Sequence, residues 1–156
     1  MQVQDVMARS LRTCTAKNNL AEAASLMSKG GCGALPVLDN EGRVAGIITD
    51  RDVCICVGSR DRKASEITVV EAMSTDVAIC HPQDEIHIPL KTMRMRKVRR
   101  LPVVTSDGKL VGMLSVSELL LHARHDDGSR PPLSEENVMS TLRGIYVHCP
   151  PHRECA

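Results

Sequence analysis

Three places in the sequence carry residues that could do chemistry. Thr49-Asp50-Arg51-Asp52 marks the start of a helix running through Val53. Thr49 and Asp50 supply the cap, and Asp52 falls in the first turn, where the helix dipole favours a carboxylate by a few tenths to about 1 kcal/mol. The second place is a basic run, Arg94, Arg96, Lys97, Arg99 and Arg100, at the end of an apolar-periodic stretch. Its charges suit a phosphate, a solvated helix C-terminus or, less well, nucleic acid. The third is the tail His148-Cys149-Pro150-Pro151-His152-Arg153-Glu154-Cys155, which has Cys and His at metal-like spacing; Cys54-x-Cys56 is another close pair. A zinc site usually brings two such pairs together, and nothing obvious supplies a second pair for the tail, so no metal site is expected. His81, next to Pro82, reads as a surface residue. There is no nucleophile elbow, Walker loop or paired His-Glu motif, and Asp50 and Asp52 are neighbours on one helix start rather than opposed groups. The expectation is a protein that is not an enzyme.

Composition narrows the partners. The chain has 156 residues, 42% hydrophobic and 25% charged, which suits one compact domain or two small ones sharing a core. A net charge of +1 gives no global field for nucleic acid or acidic lipid. Tyr146 is the one aromatic residue, so the core is aliphatic, and binding of single strands by aromatic stacking is not expected. No apolar run reaches eighteen residues, and MQVQDVMARS lacks the apolar stretch of a signal peptide. These features point to a cytoplasmic protein with no membrane partner. Of the seven cysteines (Cys14, Cys32, Cys54, Cys56, Cys80, Cys149 and Cys155), most read as reduced, buried small hydrophobes.

The elements that must hold these groups occur twice. Leu35-Pro36-Val37 recurs as Leu101-Pro102-Val103, sixty-six residues on. Gly42, Gly46, Met7, Cys14 and Met27 recur at the same offset as Gly108, Gly112, Met73, Cys80 and Met93, without a gap from Met7 to Val53. In the first copy, Leu11 to Thr15 is strand-like. Asn18 and Asn19 cap a helix whose apolar face is Leu20, Ala23, Ala24 and Met27, stopped by Gly30 and Gly31. Ala34 to Leu38 and Val44 to Ile48 form a hairpin around Asp39-Asn40-Glu41-Gly42. The second copy repeats this order. Ala78 to Cys80 is strand-like, and a helix starts at Pro82-Gln83-Asp84 with Ile86, Leu90 and Met93 inward. Leu101 to Val104 pairs with Leu110 to Leu114, and Ser115 caps a last helix past Leu119, Leu120 and Leu121. Pro89 in the helix pattern is tolerable only near its first turn. A further helix begins at Ser134-Glu135-Glu136 and ends near Gly144. The expected divisions are a first repeat over 1–58, a linker and lead-in strand over 59–70, a second repeat over 71–123, a loop over 124–133, a C-terminal helix over 134–144 and a flexible Cys/His tail over 145–156.

This pattern resembles a tandem pair of cystathionine-β-synthase (CBS) domains over roughly residues 3 to 122. The stretches GALPVLD and RRLPVVT, EGRVAGIIT and DGKLVGMLS, and the helix start Thr49-x-x-Asp52 carry the resemblance, twice and in register. It implies a mixed α/β (α+β) fold in which two βαββα repeats pack by pseudo-twofold symmetry into a disc-like module. It also implies adenosyl ligands in the clefts between the repeats: AMP, ADP, ATP, S-adenosylmethionine or NAD, as regulatory ligands rather than tightly held cofactors. Asp52 would then take the ribose hydroxyls, with Thr49 beside it facing the cleft and the helix start favouring phosphate. Arg99 and Arg100, just before the second Leu-Pro-Val, would meet phosphate; Gly33 and Ala34 stand there in the first copy. Thr13 and Ile79 match positions that line the adenine pocket. Ser115 and Glu118 replace Thr49 and Asp52 in the second copy, and the longer Glu118 changes the reach to a ribose, so one good site and one weak or empty site are implied. The same resemblance implies a homodimer that signals to an unknown regulated protein by conformational change. The alternatives are a structural dimerisation module without ligand and a metal- or redox-responsive protein acting through its Cys/His tail.

Overall fold

Two glycines determine how the chain is put together. A Cβ on Gly46 would lie 2.8 Å from Met73 Sδ and 3.0 Å from the Ser74 carbonyl oxygen. A Cβ on Gly112 would lie 2.5 Å from Met7 Sδ and 3.1 Å from the Ala8 carbonyl oxygen. Each glycine sits in the second strand of a hairpin, and each is crossed by the lead-in segment of the other repeat. The contacts are sealed by backbone bridges, Ile47 with Ser74 and Ala8 with Met113. The computed structural model describes residues 1–125 and 131–147. The chain forms two compact units, and the lead-ins are exchanged between them. One unit holds Met1–Arg9 with Ala78–Val103 and the chain after Val111; the other holds Ser10–Val77 with Val104–Leu110.

In the unit of the first repeat, β1 (Cys14–Thr15) runs parallel to β2 (Ala34–Leu38), which pairs antiparallel with β3 (Val44–Thr49). Helix α1 (Leu20–Gly30) starts at a reciprocal cap, with the Asn19 side chain accepting from Glu22 N, and stops at Gly31 with φ 58°. Helix α2 (Asp50–Arg60) follows β3 without a loop. Leu20, Ala23, Met27, Leu35, Val37, Ile48, Ile67 and Val69 make the core. The turns of both hairpins lie in this unit and exchange bonds at matching positions: Val44 N donates to Gly108 O and Leu110 N to Gly42 O, each at 3.2 Å. In the other unit the order is α3 (His87–Arg96), β4 (Arg100–Val104), β5 (Leu110–Ser115), α4 (Val116–His122) and α5 (Glu135–Tyr146). Its core joins Val3, Val6 and Met7 to Leu90, Met93, Leu101, Leu114, Leu119, Val138 and Ile145.

Several sequence-based expectations need correction. The strand expected over Leu11 to Thr15 is only two residues long, and Ala78 to Cys80 contributes a single parallel bridge, Cys80 with Val103. The helix expected from Pro82 begins at His87, because Asp84 instead closes a turn in which its carboxylate accepts His81 N at 2.8 Å. Pro89 is thereby the third helical residue, in the first turn, where its missing N–H is no loss. The region 59–70 holds no lead-in strand: α2 extends to Arg60, and Ala64–Glu66 and Val69–Glu71 are 3-10 turns, the latter fixed by a Thr68–Glu71 reciprocal cap. Ala24 is exposed, and Leu26 packs on the core instead. Helix α5 does not stop at Gly144. That glycine is there for space, since a Cβ would come 2.8 Å from Arg94 Cγ. Within the expected loop over 124–133, Arg124 N donates to Leu133 O at 3.0 Å, pinning its ends.

The cysteines follow burial. Cys14 and Cys80 occupy equivalent positions and are both buried, and burial pushes their thiols up to about 11 and about 12 respectively. Cys56 is also buried, Cys32 is half-buried and Cys54 is exposed. Two outcomes follow. Gly112→Val is expected to destabilise the fold by about 1–3 kcal/mol in urea unfolding, since a backbone carbonyl blocks relief of the overlap. With a thiol reagent at pH 8, Cys54 is expected to react readily in the folded protein, and Cys14 and Cys80 only on unfolding.

Candidate functional site

The end of β3 is where the first repeat concentrates polar groups. Three residues beyond Gly46, Thr49 turns the chain from strand to helix with φ −117° and ψ 162°. Thr49 N and the Thr49 hydroxyl both donate to Asp52 Oδ2, at 2.9 and 2.7 Å, and Asp52 N donates back to Thr49 Oγ1 at 3.2 Å. This closes a capping box with Asp in the place usually held by Glu or Gln. Both side chains are half-buried. Asp52 is thus held in one orientation by bonds to a single carboxylate oxygen, which leaves a rigid acceptor for further O–H donors.

The helix start is not the open phosphate site that the sequence suggests. Asp50 N donates to Gly33 O at 3.2 Å, Arg51 N to Asp50 Oδ1 at 2.7 Å, and Asp52 N to Thr49 Oγ1. Three first-turn amides therefore already have acceptors, and an anion there would have to displace the Asp50 carboxylate. Likewise, the Thr49 hydroxyl and N–H are turned onto Asp52.

The second copy keeps the plan but alters the chemistry. The Ser115 hydroxyl donates to Glu118 Oε2 in a short contact and accepts Ser117 N at 3.2 Å. The longer carboxylate folds back on the cap hydroxyl alone, without the backbone bond that fixes Asp52. Arg99 O accepts Val116 N at 3.1 Å, and the exposed Arg99 guanidinium donates to the Tyr146 hydroxyl at 3.3 Å. Arg100 is half-buried as the first residue of β4. Ile79 is 41% exposed and precedes the Cys80 bridge. Thr13 is half-buried just before β1. The candidate residues therefore fall into two sets, Thr13, Thr49 and Asp52 in one unit, and Ile79, Arg99, Arg100, Ser115 and Glu118 in the other. The Arg99–Tyr146 contact was not foreseen. The spacing of Val138, Thr141 and Ile145, all buried, is the signal that the helix keeps one face inward past Gly144 and so reaches Tyr146.

Among the described residues no group of three or more His, Cys, Asp or Glu side chains could hold a metal, and no helix is long and apolar enough to cross a membrane. The Cys/His tail from His148 onward lies outside the described residues.

A βαββα order in the first copy, repeated in the second with its first strand reduced to the Cys80–Val103 bridge, and each copy closing on a strand-end cap with an acid three residues on, defines a pair of CBS domains. The CBS domain family model matches residues 3–58 and 64–125, and the chain belongs to that family. The CBS domain-containing protein YhcV of Bacillus subtilis is 29% identical over 87% of this chain and 97% of its own length. Among solved structures, a putative signal-transduction protein with CBS domains from Burkholderia ambifaria superposes with a TM-score of 0.71 at 27% identity, covering 84% of this chain and 97% of that one. The CBS domain pair of protein MJ0100, solved with 5′-methylthioadenosine and S-adenosyl-L-methionine, superposes with a TM-score of 0.70 at 23% identity, covering 78% of this chain and 94% of that one, a likeness of fold.

Removing the cap hydroxyl tests this geometry. Thr49→Ala is expected to cost about 1 kcal/mol in urea unfolding. Ser115→Ala, which loses the less complete cap, is expected to cost less.

Proposed function

We propose that this protein is a regulatory module that binds an adenosyl compound through Asp52 and passes the change in its own conformation to another protein. The observation that carries the reading is the Thr49–Asp52 box. It fixes a half-buried carboxylate by one oxygen at a strand end, in the arrangement suited to accept two hydroxyls from a ribose. The binding of 5′-methylthioadenosine and S-adenosyl-L-methionine by the MJ0100 pair supports the ligand class, because the same fold accommodates it there. Both of those ligands lack a phosphate chain, which fits a helix start whose first amides are already bonded.

Asymmetry between the copies supports a single strong ribose site. Glu118 is bonded to the Ser115 hydroxyl without the second tether, so its carboxylate is less firmly aimed. A homodimer is part of the proposal. Ile55 on α2 and Leu121 on α4 occupy equivalent positions and are 55% and 80% exposed, a cost in a monomer that burial against a second copy removes.

Calorimetric titration of nucleotide-stripped protein with AMP, ADP, ATP, S-adenosylmethionine and NAD tests the reading. Saturable binding near one ligand per chain, weakened at least about tenfold by Asp52→Ala with the fold retained, is expected. No heat with any of the five, from folded and empty protein, would leave the structural dimerisation module as the better account. In sedimentation, Leu121→Glu is expected to shift the protein from dimer to monomer.

A further inference from the structure

The unit of the first repeat contains a hollow of about 470 Å³ between the end of α1 and the start of α2. It is lined by Ala24, Met27, Ser28, the Gly31–Gly33 link, Asp50 and Val53. Sixty-six residues on, the corresponding surface is not hollow, because α5 fills it. Leu90, Met93 and Leu119, the equivalents of Ala24, Met27 and Val53, share a core with Val138 and Ile145 of α5. Arg94, in the place of Ser28, abuts Gly144. Lys97, in the place of Gly31, donates its ammonium to Gly144 O in a short contact, and Arg99, in the place of Gly33, donates to the Tyr146 hydroxyl. The two repeats thus present the same surface, and within its own unit only the second one is covered.

We infer that the hollow is a docking groove for one amphipathic helix of a different protein, with apolar residues at the spacing of Val138, Thr141 and Ile145 and a Lys or Arg to meet Asp50. The internal equivalent supplies the geometry of the occupant, and the lining supplies its charge. Where the second repeat holds Arg94, Lys97 and Arg99, the first offers Ser28, Gly31 and Gly33, so the cations that seat the C-terminal end of α5 are missing. Where the second repeat has Val116, the first has the exposed carboxylate of Asp50. A copy of α5 from a second chain therefore meets neither its cations nor an apolar floor at that point. The dimer proposed above is built on Ile55 and Leu121, neither of which lines the groove. A helix that brings its own base satisfies both conditions, with the apolar anchors entering the groove in the helix-in-groove manner. The inference is independent of the adenosyl site, since Asp52 does not line the groove.

The test uses the full chain and two stapled helical peptides of residues 134–147, one carrying Tyr146→Lys and the other Tyr146→Glu. The lysine peptide is expected to bind one per chain, with NMR amide shifts at Ala24, Cys32 and Val53, and the glutamate peptide at least about tenfold more weakly. Asp50→Lys is expected to reverse that preference, and Ala24→Arg, at an exposed helix position, to abolish binding while the melting temperature holds. Three outcomes would overturn the inference: no saturable binding of the lysine peptide up to about 1 mM, shifts confined to Leu90 and Arg94 (displacement of α5 instead), or conversion of a dimer to monomer by Ala24→Arg, which would make a second copy the occupant.

Discussion

The close approach of a lead-in segment to a glycine in the partner repeat's hairpin is the constraint on which the rest depends. Met73 crosses Gly46 and Met7 crosses Gly112, with backbone bridges beside each crossing. Any side chain at either glycine would meet a carbonyl oxygen that cannot move without breaking its bridge. In return, Val3, Val6 and Met7 enter the core around α3, and Ile67 and Val69 enter the core around α1. Neither repeat, taken as a continuous stretch of sequence, completes its own core. The duplication is therefore not two independent domains in a row but two stretches that each lend the other a segment.

The same strands carry the candidate site. Gly46 lies three residues before Thr49, and Gly112 three before Ser115, so the crossing that fixes each strand also fixes the cap at its end. From there the copies diverge through one methylene. Asp52 is short enough to take both the Thr49 hydroxyl and its N–H on one oxygen, whereas Glu118 reaches back to the Ser115 hydroxyl. Divergence continues outside the repeat, where α5 occupies the surface beside α3 and α4 and engages Lys97 and Arg99. The basic run that reads as a phosphate site is at least partly a seat for the C-terminal end of this helix, as dipole complementarity favours.

Much of the fold was legible because its signals are local or periodic. The strands β2 and β5 begin where the apolar runs begin, Asn19 and Ser134 cap as their side chains dictate, and the offset of sixty-six residues survives into matching bonds between the hairpin turns. What was not legible depends on contacts distant in sequence. The lead-in exchange needs Met7 to meet Gly112, more than a hundred residues away, although the constant register of Met7, Met73, Gly46 and Gly112 was the visible trace of it. The helix start at Pro82 was missed because Asp84 can cap a helix or close a turn, and only the tertiary setting decides. At the site, Thr-x-x-Asp announced the carboxylate, but its bonding onto Thr49 and the occupation of the first amides by Gly33 and Asp50 were not readable from residue types.

The claim that Asp52 recognises a ribose diol is the centre of the functional account. A calorimetric double-mutant cycle addresses it most directly: the tightest adenosyl ligand and its 2′,3′-dideoxy counterpart, each titrated into the protein and into Asp52→Ala. The account expects loss of the hydroxyls to weaken binding at least about tenfold in the parent protein and hardly at all in the variant. Equal weakening in both proteins would mean that the diol is held elsewhere and that Asp52 serves the helix cap alone.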